Sequence, residues 1–499
     1  MSKRSILIIG CALALVESLV IGPSATAKPE SIRGGTVIMV HDQEPGILNF
    51  FLATGNGYTN QLAIGPILAS GAIYNEKAVL EPYLMESVPK LVQKNPLVVS
   101  FKFKQSAVWS DGKPITAADL VATWRTTINP SWDITSRQDS IDIASGPFKF
   151  QSWQKGTQLT IVKNAAFKAG PAAKLDRIVF RYIAGASEFQ ALRSGEADVM
   201  EPQAQIQIVD FYNDSKFKVQ AGQGYQWEHL DFQQGEKAHP ALKKKFVRQA
   251  IIQGINRAQI REVLYIKTGL VPNPKDLPVL QSHIFKPFES AYATPYKRWG
   301  FSQKNTIALL KKNGCTGGPD TPSSGNSKIF SCPGVGELTF AFTTTSGNPL
   351  RALTFEIIQR QLKSVGIQFT PRFLSPAVLF GGGVLTGGDW QSVMFTFTGG
   401  PTSSGTFFGT GGCGGDQNYG AACNKKASAL LQKAQFTPDP AARNKLLHDA
   451  EVILADEVFS VPLFARPQHL LHSTKVKGAL RNPTLQGGTW NAETWSVAS

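Results

Sequence analysis

The chain has 499 residues, 42% of them hydrophobic, with 51 Lys and Arg against 36 Asp and Glu. That length can bury more than one core, so two or three domains are expected. The formal charge of +15 does not point to nucleic acid: the basic residues are scattered, and the one tight run, Lys243-Lys244-Lys245, reads as the solvated start of a helix.

Residues 1–27 read as an export leader: Lys3 and Arg4, an apolar run from Ile6 to Val16, and Ala25-Thr26-Ala27 as a cleavage site. Ile8-Ile9-Gly10-Cys11 also fits a lipidation box, so an exported protein anchored through Cys11 is the lesser alternative to cleavage after Ala27. Without Lys3, Arg4 and Glu17, the 51 basic and 36 acidic residues become 49 and 35. No later stretch runs 18 apolar residues, so no second anchor is expected.

Gly34 to Val40 begins the mature pattern as a strand, with Glu44 to Asn49 as the loop beyond it. Val99, Phe101 and Phe103 alternate with Ser100, Lys102 and Lys104, the period of a half-buried strand. Asp111-Gly112 and Pro114 favour a reversal. Thr116 with Asp119 then reads as a capped helix start, with Leu120, Val121 and Trp124 on one face. Trp109 and Trp124 could pack over that turn. Strands follow at Phe148 to Trp153 and Asp176 to Arg181, then a helix that Ser187 caps and Gly195 stops. Gln226 to Phe232 alternates as a further strand. Ser302 to Asn313 is a helix ended by Gly314. Leu338, Phe340 and Phe342 form a strand, Leu350, Leu353, Ile357, Ile358, Leu362 and Val365 one helical face, and Ile367 to Phe369 the next strand. This β-α-β order implies parallel pairing. Gly409-x-Gly411-x-x-Gly414 lacks the strand before and helix after that a dinucleotide loop needs. The helices Lys425 to Phe436 and Ala441 to Ala455 precede a strand from Val458 to Phe464.

Cys315, Cys332, Cys413 and Cys423 remain after the leader, and an even count in an exported chain favours disulfides. Pairing neighbours, 315 with 332 and 413 with 423, closes two short Gly-rich loops. Metal binding is disfavoured by the lack of Cys-x-x-Cys and of a His within 24 residues of any of them. No nucleophile elbow, His-Glu-x-x-His or Walker loop occurs. His469 and His472 are spaced to face opposite sides of a strand. No catalytic motif, metal or cofactor is therefore expected.

Phe101-Lys102-Phe103-Lys104, followed by Trp109-Ser110-Asp111-Gly112-Lys113-Pro114-Ile115-Thr116-Ala117-Ala118-Asp119-Leu120, resembles the signature of the family 5, peptide-type solute-binding proteins of ABC importers. Gly34-Gly35-Thr36, Glu44-Pro45, Ser145-Gly146-Pro147-Phe148, Val247-Arg248-Gln249-Ala250 with Asn256-Arg257, and Val461-Pro462-Leu463-Phe464 are similar to further family motifs; Phe50 stands where the family has Pro. The resemblance implies a two-lobed α/β fold, periplasmic-binding-protein-like (type II, cluster C), with a small extra subdomain on the first lobe. Its division here would be 28–60, 150–235 and 466–499 for the first lobe, 61–149 for the subdomain and 236–465 for the second lobe. Only Arg125 to Ala144 separates the central helix from the Gly-Pro-aromatic strand, so the subdomain should be truncated.

The resemblance also implies a monomeric receptor in the periplasm or on the outer membrane face. It would capture a peptide or other small solute between its lobes and deliver it to membrane permease and ATPase subunits. The candidate contacts are Glu44, Tyr225, Trp227, Thr398, Gly399, Thr402 and Ser403. Peptide-binding members carry an Asp beyond the strand end, and Phe397-Thr398-Gly399-Gly400-Pro401 has none, which points to a solute without a free N-terminus. An envelope binder or chaperone that works without an importer would use the same fold.

Overall fold

Two sheets organise the chain in a computed structural model that describes residues 35–498 apart from 53, 54, 56, 130–137, 184, 272, 324–326, 402 and 403, and one buried cluster reaches from Val40 and Met200 beside the first to Leu230 and Phe342 in the second. The expected leader at 1–27, with Cys11, lies outside the described residues. So do Thr402 and Ser403.

The first sheet runs edge to edge through Phe217–Gly222, Gln468–Ser473, Val199–Met200, Thr36–His41, Arg177–Tyr182, Gln158–Lys163 and Phe148–Gln154. Its central strand Thr36–His41 pairs in parallel with both neighbours. Val37, Met39, Phe148, Ile161 and Ile178 fill its core, and the C-terminal segment returns to add the fully buried Trp495. Burial of such a side chain contributes roughly 1.5–3 kcal/mol.

The second sheet runs Gln368–Leu374, Thr339–Thr345, Ser392–Thr398, Gln226–Phe232, Ser460–Ala465. Thr339–Thr345 and Gln368–Leu374 pair in parallel, joined by the helix Pro349–Lys363. Asn348 caps that helix by accepting from the Arg351 N–H, and Pro349 sits at its first position. Gly366, in the left-handed region at φ 79, turns the chain into the next strand. The helices Lys425–Gln435 and Pro440–Glu457 pack together around a separate apolar cluster with Ile284, Phe285 and Phe407. Cys315–Cys332 and Cys413–Cys423 are disulfides.

The chain passes between the sheets twice, at 222–226 and at 465–468. Gln226–Phe232 therefore belongs wholly to the second sheet, and the first lobe's second stretch ends near Gly222 rather than at 235. The helix Tyr58–Ile64 and residues Ile67, Ile141 and Ala144 sit in the first lobe's core, so less of 61–149 stands apart than expected. The crossing strand Gln226–Phe232 pairs antiparallel with Ser392–Thr398 on one side, in the register Gln226↔Thr398 and Trp227↔Phe397, and with Ser460–Ala465 on the other. Thr396 to Thr398, expected as loop, are thus strand.

The subdomain is two hairpins, Ala72–Tyr74 with Leu80–Pro82 and Lys90–Lys94 with Leu97–Ser100, and the helix Ala117–Thr127. Its core is small: Leu84, Ala107, Ile115, Phe167 and Ala169. The expected half-buried strand through Phe103 ends at Ser100, and all four residues Leu97 to Ser100 are exposed: among the described residues this strand pairs only with Lys90–Lys94. The helix begins as expected, with the Asp119 carboxylate accepting from the Thr116 N–H at 2.7 Å. It buries no residue, however. Trp109 donates to Asp119 at 3.2 Å, and Trp124 is 58% exposed instead of packing on Trp109. Ser187 is the first residue of its helix, not the cap, which is Ala186.

Candidate functional site at the junction of the lobes

The two crossings bring the end of the first strand, the loop after it, and the ends of Gln226–Phe232 and Ser392–Thr398 to one junction. Sheet pairing fixes the site's floor. Gly399 N–H donates to the Tyr225 carbonyl at 2.9 Å, and the Tyr225 N–H donates to the Pro483 carbonyl of the return segment at 2.8 Å. Tyr225 Oη donates to Glu289 at 3.2 Å, and its ring meets Phe288 edge-on. Burial, with the Glu289 carboxylate beside it, holds the Tyr225 phenol well above its ordinary pKa. Trp227 is buried under the Lys286 ammonium nitrogen, 3.7 Å from the ring centre, and next to Phe397. Gly399 lies within van der Waals distance of the Trp227 ring.

Burial lowers the pKa of Lys286 to about 7 although Glu289 and Glu451 oppose it. Across the junction, Tyr74 Oη of the subdomain hairpin donates to the Pro401 carbonyl at 3.2 Å, a contact between first-lobe and second-lobe elements. Tyr225, Trp227, Thr398 and Gly399 are brought together. Glu44 is not with them: its carboxylate accepts from Trp153 Nε1 at 2.7 Å and from the Gly156 N–H at 2.9 Å, tying down a hairpin turn inside the first lobe.

Beneath this floor lies a buried ionic network. Glu228 accepts from Arg351 Nη2 at 2.9 Å and Nε at 3.2 Å, and from Thr396 Oγ1 at 2.6 Å; Arg466 Nη1 is 4.0 Å away. Burial alone would raise the Glu228 pKa, but Arg351 and Arg466 outweigh it and hold the carboxyl below its ordinary value. Gln203 of the first lobe extends the network across the junction. Its carbonyl accepts from Asn348 at 2.9 Å and from Arg466 at 3.1 Å, while its amide donates to Asp42 at 2.6 Å. Sequence reasoning missed Arg351, Arg466 and Gln203. Arg351 follows Leu350 on an otherwise apolar helical face, and Arg466 follows the buried strand Ser460–Ala465; only those positions hinted at burial.

Among the described residues, no group of three or more His, Cys, Asp or Glu could hold a metal ion, and no helix is long and apolar enough to cross a membrane. The arrangement encloses a polar and aromatic surface between two bodies that share contacts. The family described as Bacterial extracellular solute-binding proteins, family 5 Middle, matches residues 132–419, more than half of the chain. The chain belongs to that family. Family 5 is one of binding proteins that serve ABC importers.

A Di/tripeptide-binding protein 1 of Pseudomonas aeruginosa is 22% identical over 330 residues, 64% of this chain and 55% of that protein. An uncharacterized lipoprotein of Mycobacterium tuberculosis is 33% identical over 115 residues, 21% of this chain and 20% of the relative. The chain thus spans between a fifth and about half of the length of these curated relatives. The solved Periplasmic EDTA-binding protein EppA has the same fold, with a TM-score of 0.79 at 19% identity over 94% of this chain and 97% of that one.

Proposed function

We propose that this chain is the extracytoplasmic receptor of an ABC importer, capturing a peptide or peptide-like solute between its lobes and passing it to membrane permease and ATPase subunits. The observation that carries this reading is the junction itself. Two sheets are joined by two strand crossings, and Gln203 and Tyr74 of the first body contact Asn348, Arg466 and Pro401 of the second. A solute that touches both bodies stabilises only the arrangement in which they meet, so capture and closure are one equilibrium. Tyr225, Trp227, Thr398 and Gly399 form the second-lobe wall of the capture site, with Thr402 and Ser403 next along the chain. The Tyr225 ring, the indole and the loop amides suit a mostly apolar solute with a few polar anchors.

The solute lacks a free ammonium at its bound end. The loop from Gly399 to Pro401 carries no acid, and the nearby Glu289 carboxylate is already engaged by Tyr225 Oη and the Lys286 N–H. A receptor of this kind is exported, works as a monomer and does not need a metal or cofactor of its own.

Native mass spectrometry of protein purified without refolding tests the reading. The expected result is an adduct of a few amino-acid units that denaturation releases and that fragments as a peptide or a blocked, peptide-like molecule. Adduct-free protein that also fails to bind a peptide library would overturn it.

A further inference from the structure

An open groove lies between the subdomain hairpin, Ala72–Tyr74 with Leu80–Pro82, and the C-terminal return segment. Its volume is about 410 Å³, within the range of sites that hold small molecules. Tyr225, Trp227, Thr398 and Gly399 are not among its lining residues, so it is separate from the wall at the lobe junction.

Strand geometry builds one side. Ile73 pairs with Glu81, and the Tyr83 N–H carries the ladder on by donating to the Gly71 carbonyl at 2.9 Å. Residues opposite each other, or two apart on one strand, share a face, so Ile73, Glu81 and Tyr83 are presented together, and all three line the groove. The return segment supplies the other side with Leu480, Trp490 and Glu493. Trp490 Nε1 donates to the Leu480 carbonyl at 3.0 Å, which fixes the indole. The Asn482 side-chain amide donates to the Tyr74 carbonyl at 2.8 Å and ties the two sides to each other.

The charge of the groove is opposite to that of the chain. The formal charge of the sequence is +15, yet no Lys, Arg or His lines this groove and both of its charged residues are acids. Glu81 is exposed, and its Oε1 accepts from Asn75 at 2.7 Å. Glu493 is only 5% exposed, with the Tyr83 hydroxyl as its side-chain partner. Burial raises the Glu493 pKa, and the groups that bond it, Tyr83 and its own N–H, are neutral. An occupant that brings a positive charge supplies the missing counter-charge. An anion would meet two carboxylates, and an uncharged molecule would leave Glu493 uncompensated. The aromatic faces of Tyr83 and Trp490 also favour a cation. Among the described residues no group of three His, Cys, Asp or Glu could hold a metal ion, so the cation is organic.

We propose that this groove is a second binding site of the protein, for a small organic cation: an ammonium or guanidinium group on an apolar body. Glu493 and Glu81 take the charged group, and Tyr83, Trp490 and Leu480 take the body. The assignment does not depend on the receptor reading above, because it uses none of the residues at the lobe junction.

Calorimetry with 3-phenylpropylamine, 3-phenylpropanol and 3-phenylpropanoate at neutral pH compares one body carrying a cation, a neutral group and an anion. The amine should bind about tenfold more tightly than the alcohol, and the acid should not bind. Glu493→Gln keeps the shape and the acceptor for Tyr83 while removing the charge. It should weaken the amine about tenfold and leave the alcohol unchanged. Trp490→Leu should weaken amine and alcohol alike. Glu81→Gln, at an exposed position, should also weaken the amine alone, and it decides the matter if Glu493→Gln does not fold. Equal affinities for amine and alcohol, or no binding of the amine, would overturn the site. Amine binding that survives both Glu→Gln changes would place the amine elsewhere and overturn it too.

Discussion

Replacing Arg351 by Met removes the main partner of a carboxylate that has almost no access to water. Glu228, Arg351 and Arg466 are 3%, 5% and 6% exposed. The variant loses both guanidinium bonds to Glu228 and the bond to Thr396, leaving only Thr396 Oγ1 and Arg466 at 4.0 Å beside the charge. Removing one partner of a buried ion pair costs about 3–5 kcal/mol, because the remaining charge stays desolvated. The pH dependence gives a second, independent reading. In the wild type the Glu228 pKa is depressed, so its stabilisation is complete above the ordinary Glu value of about 4.3 and is lost as pH falls through the lower folded value. In Arg351→Met burial prevails and the folded pKa rises above the unfolded one. The folded state then takes up a proton as pH falls from 7 to 5, and the deficit shrinks. Urea unfolding followed by circular dichroism at pH 7 and pH 5 measures both effects. A deficit below 1 kcal/mol at pH 7, or one that is unchanged at pH 5, would refute the reasoning.

Opening either disulfide by a double Cys→Ser change should lower stability by about 3 kcal/mol, given loops of 17 and 10 residues; peptide mapping without reductant checks the pairing itself. Amide exchange should proceed faster across 97–103, where Leu97–Ser100 is an exposed two-stranded edge, than across 338–342, where Leu338, Phe340 and Phe342 are fully buried. Equal protection would mean that another element covers the hairpin. N-acetylation of a bound peptide should change its affinity less than threefold in calorimetry, since the loop from Gly399 to Pro401 offers no acid; loss of binding on acetylation would contradict this.

Local patterns carried most of the fold. The Thr116–Asp119 cap, the alternation at Leu338 to Phe342 and the apolar face from Leu350 to Val365 are short-range signals, and the structure realises each of them. What failed depended on distant partners. Thr396 to Thr398 look like loop in composition, yet they extend a strand because Gln226 to Glu228 pair with them from across the sequence. Trp124 sits on a well-patterned apolar face, but none of the described residues covers it. Glu44, a candidate contact in the sequence, accepts from Trp153 and Gly156, partners more than 100 residues away that local pattern could not show. The ring contact of His229 with His283 was illegible for the same reason, since 54 residues separate the two imidazoles.

The most direct test of capture between the lobes is the distance between them with and without solute. Spin labels at the exposed positions Lys149, in the first lobe, and Lys433, in the second, give that distance by pulsed electron resonance. Protein stripped by unfolding and refolding should show a broad, long distribution, and adding back the small molecules released on denaturation should narrow and shorten it. The same distribution in both samples, with the released solute demonstrably bound, would contradict closure around a solute held by both lobes.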